Sequence, residues 1–276
     1  MDLNTVSEVA RPSIRDEIPN WRDSDAWLAG GTWLFSEPQP GVSRLIDLEG
    51  LRWEPLLVSE TGLAIAATCT IRQLDAFVAP VNWTATPLIR QCCQSLMSSF
   101  KIWNTATVGG NLCMSLPAGA LISLTTALEG VCTIWQRDGG ERRVRVLDFV
   151  TGVQQNVLGP GDLLRSIDLP ASALHKQTSF RRVSLTHLGR SSVLLIATLC
   201  PLEGSFALTV TAATLRPVQI EFPQVPAADE LQSKLREAIP DTLYLDDVHG
   251  TPSYRKHMTF YFAEEIRSEL SAGGGS

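Results

Sequence analysis

Nothing in the spacing of the six cysteines suits an iron–sulfur cluster. Such clusters need four thiolates close together, as in C-x₂-C-x₂-C runs. Here Cys92 and Cys93 are adjacent and the other four are scattered, so any cluster belongs on another chain. Free, mostly buried thiols in a reducing cytoplasm are the simplest account. His175, His187, His249 and His257 are equally dispersed, which leaves no Cys/His set for zinc. G-x-S-x-G, the P-loop and G-x-G-x-x-G are all missing, so neither a nucleophile elbow nor a Rossmann dinucleotide site is encoded. A basic stripe is also lacking. The net charge is -6, and the pairs Arg142-Arg143 and Arg181-Arg182 are isolated, which argues against nucleic acid. Residues 1–22 mix acids, bases and polar residues and do not form a secretory signal. The longest charge-free run, Ile102 to Leu128, could span a bilayer by length alone. It contains Asn104, Gly109, Gly110, Asn111, Pro117 and several hydroxyls, so burial around a ligand is the better reading.

Against these absences stand two glycine pairs. Thr107-Val108-Gly109-Gly110-Asn111 lies between an uncharged approach and an apolar helix. Leu28-Ala29-Gly30-Gly31-Thr32-Trp33-Leu34 follows a short apolar run, as a strand-to-loop transition would. One Gly-Gly pair is routine in turns. Two, each with a threonine beside it, point to backbone approaching a ligand closely, because glycine permits close approach and positive φ. Successive exposed amides can form a concave anion site. Two such loops could grip the two phosphates of one dinucleotide.

Both loops, in this order and spacing, resemble the FAD-binding (medium) subunit of molybdenum hydroxylases, the xanthine dehydrogenase and carbon monoxide dehydrogenase family. The likeness extends through Leu112-Cys113, Leu147-Asp148-Phe149-Val150-Thr151-Gly152 and Gly159-Pro160-Gly161-Asp162-Leu163-Leu164. It resumes at Gly250-Thr251-Pro252-Ser253-Tyr254-Arg255-Lys256-His257, which is similar to the start of the family's closing helix.

The pattern along the chain predicts an α+β protein. The resemblance makes it a two-lobed, PCMH-like FAD-binding domain followed by a C-terminal antiparallel sheet with helices. The expected boundaries are 1–55 for the first lobe, 56–172 for the second, 173–270 for the sheet-and-helix domain and 271–276 for a flexible Gly/Ser tail. In the first lobe a strand is expected at Arg44 to Leu48. In the second, strands are expected at Leu56 to Val58 and Leu63 to Ala67, with Thr70 capping a helix. Helices follow at Leu88 to Ser98 and Ala118 to Leu128, and a hairpin turns at Asp138-Gly139-Gly140. The last third reads as strands at Thr178–Ser184, Val193–Leu199 and Ser205–Ala213, a fourth within Leu215–Phe222, and helices at Asp229–Ala238 and Pro252–Leu270.

The resemblance implies FAD, bound at Ala29, Gly30, Gly31, Thr32, Trp33 and Leu34 of the first loop, with the amides around Gly30, Gly31 and Thr32 and those around Gly109 and Gly110 bonding the pyrophosphate. The hydroxyls of Thr32 and Thr107 would add donors, and Asn111 would fix the loop or contact phosphate. Met97, Ile102, Ala106, Cys113 and Leu164 match apolar positions around the flavin; each suits plain core packing equally well. Arg181 matches a position that is basic in some relatives, with a surface arginine as the alternative. In two places the chain departs from the family. Trp103 stands where many relatives have arginine. Ala118-Gly119-Ala120 lacks an aspartate that many have after the proline, a charged hydrogen bond worth about 1.5–3 kcal/mol. The implied function is electron transfer within a molybdenum hydroxylase. A molybdopterin-binding large subunit and a [2Fe–2S] small subunit would be the partners, in a heterotrimer or its dimer. FAD would pass electrons to NAD⁺, oxygen or another acceptor, and no catalytic side chain or metal ligand is assigned to this chain. The alternatives are a structural subunit that has lost tight FAD binding, and a self-contained flavin oxidase, for which the chain is short.

Overall fold

Arg44 organises the first sheet of the computed structural model, which describes residues 3–96 and 98–273. Its strand β3 (Arg44–Asp47) lies between β1 (Glu8–Ala10) and β2 (Asp25–Leu28), parallel to both. That register puts Arg44 level with Glu8 on one side and Asp25 on the other. The guanidinium meets Asp25 through two bonds, Nε to Oδ1 at 2.8 Å and Nη2 to Oδ2 at 2.6 Å. Nη2 also donates to the Asn20 carbonyl. The polar stretch before residue 23 thus supplies an edge strand that its composition did not announce.

Burial pushes the Asp25 carboxyl up. The Arg44 bonds, the Arg22 amide and the two positive charges together outweigh this and hold it below the ordinary carboxylate value. A depressed folded value means that the ionised pair stabilises the fold above the unfolded value of about 3.9. That stability is lost as pH falls through the lower folded value. Asp25→Asn is therefore expected to destabilise the protein at neutral pH, with the gap from wild type closing below about pH 4. Urea unfolding between neutral pH and pH 3 checks this. A gap that stays constant would show that Asp25 does not titrate with folding.

The second sheet is antiparallel, in the order β4-β5-β10-β6-β7. It comprises β4 (Leu56–Ser59), β5 (Gly62–Ala66), β6 (Val131–Trp135), β7 (Glu141–Arg145) and β10 (Leu163–Pro170). Helices α1 (Ile71–Asp75), α2 (Thr86–Ser95), α3 (Phe100–Thr105), α4 (Val108–Met114) and α5 (Ala120–Ala127) lie between β5 and β6 in sequence. Thr70 caps α1 in a full capping box with Gln73. Every residue of α5 is buried, because this helix packs on α2 and on the third sheet as well. Ser123 of α5 bonds the Thr211 hydroxyl across that junction at 2.6 Å. Between β7 and β10 run the short α6 (Val146–Phe149) and the ribbon β8 (Val150–Gly152) with β9 (Gln155–Asn156). Helix α7 (Ala171–Leu174) leads into the third sheet.

That sheet is the meander β11 (Gln177–Val183), β12 (Val193–Leu199), β13 (Phe206–Thr211) and β14 (Val218–Phe222). All of β12 is buried, since α5 covers one face and α9 (Pro252–Gly273) the other. Helix α8 (Ala228–Ala238) packs beside α9 and β14. The architecture is α+β with antiparallel main sheets, as the sequence predicts; the small first sheet is parallel. Within the expected tail, Ser271, Ala272 and Gly273 extend α9, and the remaining tail lies outside the described residues. No helix among the described residues is long and apolar enough to cross a membrane.

Candidate functional site

The loop after β2 turns because Gly31 adopts φ +67°, a conformation that costs glycine little. Its neighbour Gly30 rests on the backbone of the other glycine stretch. A Cβ on Gly30 would fall 1.7 Å from the Thr105 carbonyl oxygen. The two loops therefore close directly on one another.

The second loop is fixed from behind. The Ile71 amide donates to the Ala106 carbonyl, Val108 N–H to Cys69 and Gly109 N–H to Ala67. Gly109 is a packing glycine: a Cβ there would meet Ala67 Cβ at 2.5 Å. Thr107 caps α4, its hydroxyl oxygen accepting from the Gly110 amide at 3.0 Å. Asn111 Oδ1 accepts from the Leu121 amide at 3.1 Å and so secures the start of α5.

Between the loops lies a cleft of about 470 Å³. Ala29, Gly30, Gly31, Thr32, Trp33, Leu34, Ile102, Ala106, Thr107, Gly110, Asn111 and Cys113 all line it. Three other residues singled out from the sequence do not. Gly109 is buried against Ala67. Leu164 is buried in the core, paired with Ile134 across the sheet. Arg181 is bound to Glu265 and Glu269 of α9, at 3.3 and 2.7 Å. Met97 lies outside the described residues. Trp27, Gln39, Leu96, Leu116 and Arg190 also line the cleft, though no local pattern marked them. Trp27 is held in place by its Nε1, which donates to the Asp162 carbonyl at 3.0 Å.

Electrostatically the cleft is sparse. Arg190 is the one charged side chain on its wall among the described residues. Burial pushes the Cys113 thiol up to about 12, so it is a neutral wall group, not a nucleophile. The backbone supplies the polar groups instead. The amides of Gly30, Gly31, Thr32, Trp33 and Leu34 donate to no acceptor among the described residues. Buried or half-buried amides are almost always satisfied, and five in a row around a left-handed glycine make a nest suited to an anion. The amides of Val108, Gly109 and Gly110, by contrast, are already taken within the protein.

A second cavity, also of about 470 Å³, continues from the first, sharing Leu96, Ser98, Asn111, Leu116 and Arg190. Its walls include Pro117, Ala118, Gly119, Leu188 and Leu245, with Asp246, Asp247 and His249 opposite. Trp103 stands back from both cavities and donates its Nε1 to the Leu96 carbonyl at 3.2 Å.

Residues 7–172 match the family model described as the FAD binding domain in molybdopterin dehydrogenase. The chain belongs to this family. It is 28% identical over 198 residues to caffeine dehydrogenase subunit beta of Pseudomonas sp. (strain CBB1), a match covering 66% of the chain and 64% of that protein. It is 26% identical over 174 residues to the nicotinate dehydrogenase FAD-subunit of Eubacterium barkeri, covering 58% of the chain and 55% of that protein. Among solved structures, quinoline 2-oxidoreductase from Pseudomonas putida 86 has the same fold, with a TM-score of 0.79 at 18% identity, all of both chains being covered. The matched stretch thus spans less than two thirds of the length of these two curated relatives.

The residues present fit the group that gives this FAD-binding family its name. Two phosphates need several donors; the first loop offers five free amides. An adenosine and a flavin ring need room and apolar walls, which the two joined cavities provide. Gly110 leaves the wall open, since a Cβ there would approach only Thr107 Oγ1, at 3.0 Å. No cluster of three or more His, Cys, Asp or Glu placed to hold a metal ion occurs among the described residues.

Proposed function

We propose that this chain is the FAD-carrying electron-transfer subunit of a molybdenum hydroxylase complex, located in the cytoplasm. A molybdopterin-binding subunit and a [2Fe–2S] subunit are its partners, and NAD⁺, oxygen or another oxidant is the final acceptor. The observation that carries this reading is the run from Gly30 to Leu34, which lines a cleft between two glycine loops and whose amides donate to no acceptor among the described residues. When bound, FAD supplies the exchange between one-electron and two-electron chemistry; the protein supplies binding, orientation and electrostatics. In that division, the Gly30–Leu34 amides and the Thr32 hydroxyl hold the diphosphate. Thr107, Gly110 and Asn111 shape the opposite wall, where the Gly110 and Asn111 amides are already bonded to Thr107. Leu96, Leu116, Pro117 and Ala118 give the second cavity an apolar wall.

Ala118-Gly119-Ala120 places no carboxylate on this wall. A structural subunit without flavin would explain that absence, but it gives the joined cavities and the glycine loops that border them no ligand. FAD binding is therefore favoured, with the ribityl chain lacking one charged acceptor.

Purified protein incubated with FAD is expected to retain about one flavin per chain, released into the supernatant by acid. Reduction of that flavin by the organic substrate is expected only after the molybdenum and iron–sulfur subunits are added. Absorbance during stepwise reconstitution measures both. Protein that stays colourless would leave the structural-subunit reading standing. Substrate reduction by the isolated chain would establish a self-contained oxidase instead.

A further inference from the structure

Among the described residues, Arg190 is the one charged side chain shared by the two cavities. It stands on the loop between β11 and β12 and forms no hydrogen bond or ion pair with any described residue. The rest of that loop faces the second cavity alone, through Leu188 and Ser191. The free amides of the first glycine loop face the first cavity alone. The first glycine loop thus borders one cavity, whereas Arg190 stands where the two meet and also reaches the second, whose wall carries Leu96, Leu116, Pro117 and Ala118. The other arginine of that chamber, Arg255, is fully committed: it binds Asp247 and three carbonyls. Asp246 lines the same chamber without a partner among the described residues, and it is not within ion-pair distance of Arg190. His249 completes this polar side, its amide bound to Asp247 and its carbonyl to Ser192.

Resting on the FAD reading above, we propose that Arg190 is the cation that stabilises the reduced flavin ring, and so sets its potential. Two electrons and one proton taken from a reductant leave one negative charge on the ring. A positive charge beside it favours that form over the neutral oxidised one. Asp246 acts on the same ring with the opposite sign. The diphosphate, already served by amides, does not need Arg190.

The test measures binding and potential, not turnover. Midpoint potentials of the FAD-loaded wild type, Arg190→Gln, Arg190→Lys and Asp246→Asn are obtained by dithionite titration against indicator dyes. Dissociation constants for ADP and oxidised FAD are measured on the flavin-free forms. Arg190→Gln is expected to weaken reduced against oxidised FAD by about tenfold, a fall of about 30 mV for the two-electron couple. ADP affinity should stay within about twofold. Arg190→Lys, which keeps the charge, should stay close to wild type, and Asp246→Asn should shift the potential upward. If Arg190→Gln weakens ADP and FAD together at unchanged potential, Arg190 serves the diphosphate and the proposal fails. If nothing changes, the residue lies outside the site and the proposal also fails. A wild type that binds neither ADP nor FAD would instead remove the FAD reading itself.

Discussion

Gly30→Ala is expected to reduce FAD affinity at least about a hundredfold while leaving a folded protein. The added Cβ would lie 1.7 Å from the Thr105 oxygen and 2.6 Å from its carbonyl carbon. Both are backbone atoms, next to an α3–α4 connection tied down by the Ile71, Val108 and Gly109 amide bonds. The first loop must therefore move away, carrying with it the amides that face the cleft. Loss of two amide–phosphate bonds, at about 1.5–3 kcal/mol each, corresponds to two or more powers of ten in the dissociation constant. The overpacking itself costs about 1–3 kcal/mol of stability. Gly41→Ala is the control, because a Cβ there meets nothing within 4 Å. Flavin content, FAD titration and thermal unfolding of both variants decide the matter. Full flavin content in Gly30→Ala would show that this contact does not shape the site.

The two loops stood out because both glycine pairs occur in an order and spacing that resemble the family, where either pair alone would read as a turn, and the apolar pattern around them marked the secondary structure. What each glycine does was not legible. Gly30, Gly31, Gly109 and Gly110 read alike in sequence. In three dimensions they serve as an inter-loop contact, a left-handed turn, a contact of α4 with the turn after β5 and an open wall. Only tertiary neighbours separate these roles. Arg181 and Arg190 show the same limit. Strand pairing aims Arg181 at two glutamates on a helix more than 80 residues away, while Arg190 reaches the cleft from a loop without a distinctive pattern. Strand β1 escaped notice because three residues on a sheet edge bury too little to leave an alternation. Trp27 lines the cleft through a bond to a carbonyl 135 positions away, a contact invisible to any local window.

Arg255→Met is expected to destabilise the protein by at least about 3 kcal/mol, because three carbonyls lose a buried charged donor at about 1–3 kcal/mol each. Arg255 is 1% exposed and stands in the first turn of α9. Its Nε donates to Gly250 O at 3.0 Å, Nη1 to Ser192 O at 2.5 Å and Ala212 O at 2.6 Å, and Nη2 to Asp247 Oδ1 at 2.5 Å. One side chain thus joins the start of α9 to the loops before β12 and after β13. Methionine fills much of the volume but leaves three carbonyls and a carboxylate without this donor. Arg255→Lys should fall between the two, since an ammonium cannot reproduce the planar fork. Adding Asp247→Asn to Arg255→Met should recover part of the loss, because the carboxylate no longer stays charged without its partner. Ser191, Ala212, Asp247 and His249 line the second cavity, so FAD affinity of the folded fraction should fall as well. Urea unfolding of the four proteins, with FAD titration at low temperature, measures both effects. An Arg255→Met variant as stable as wild type would mean that the hub is replaceable by apolar packing. Lost stability with unchanged FAD affinity would confine Arg255 to holding α9 and separate it from the chamber its partners enclose.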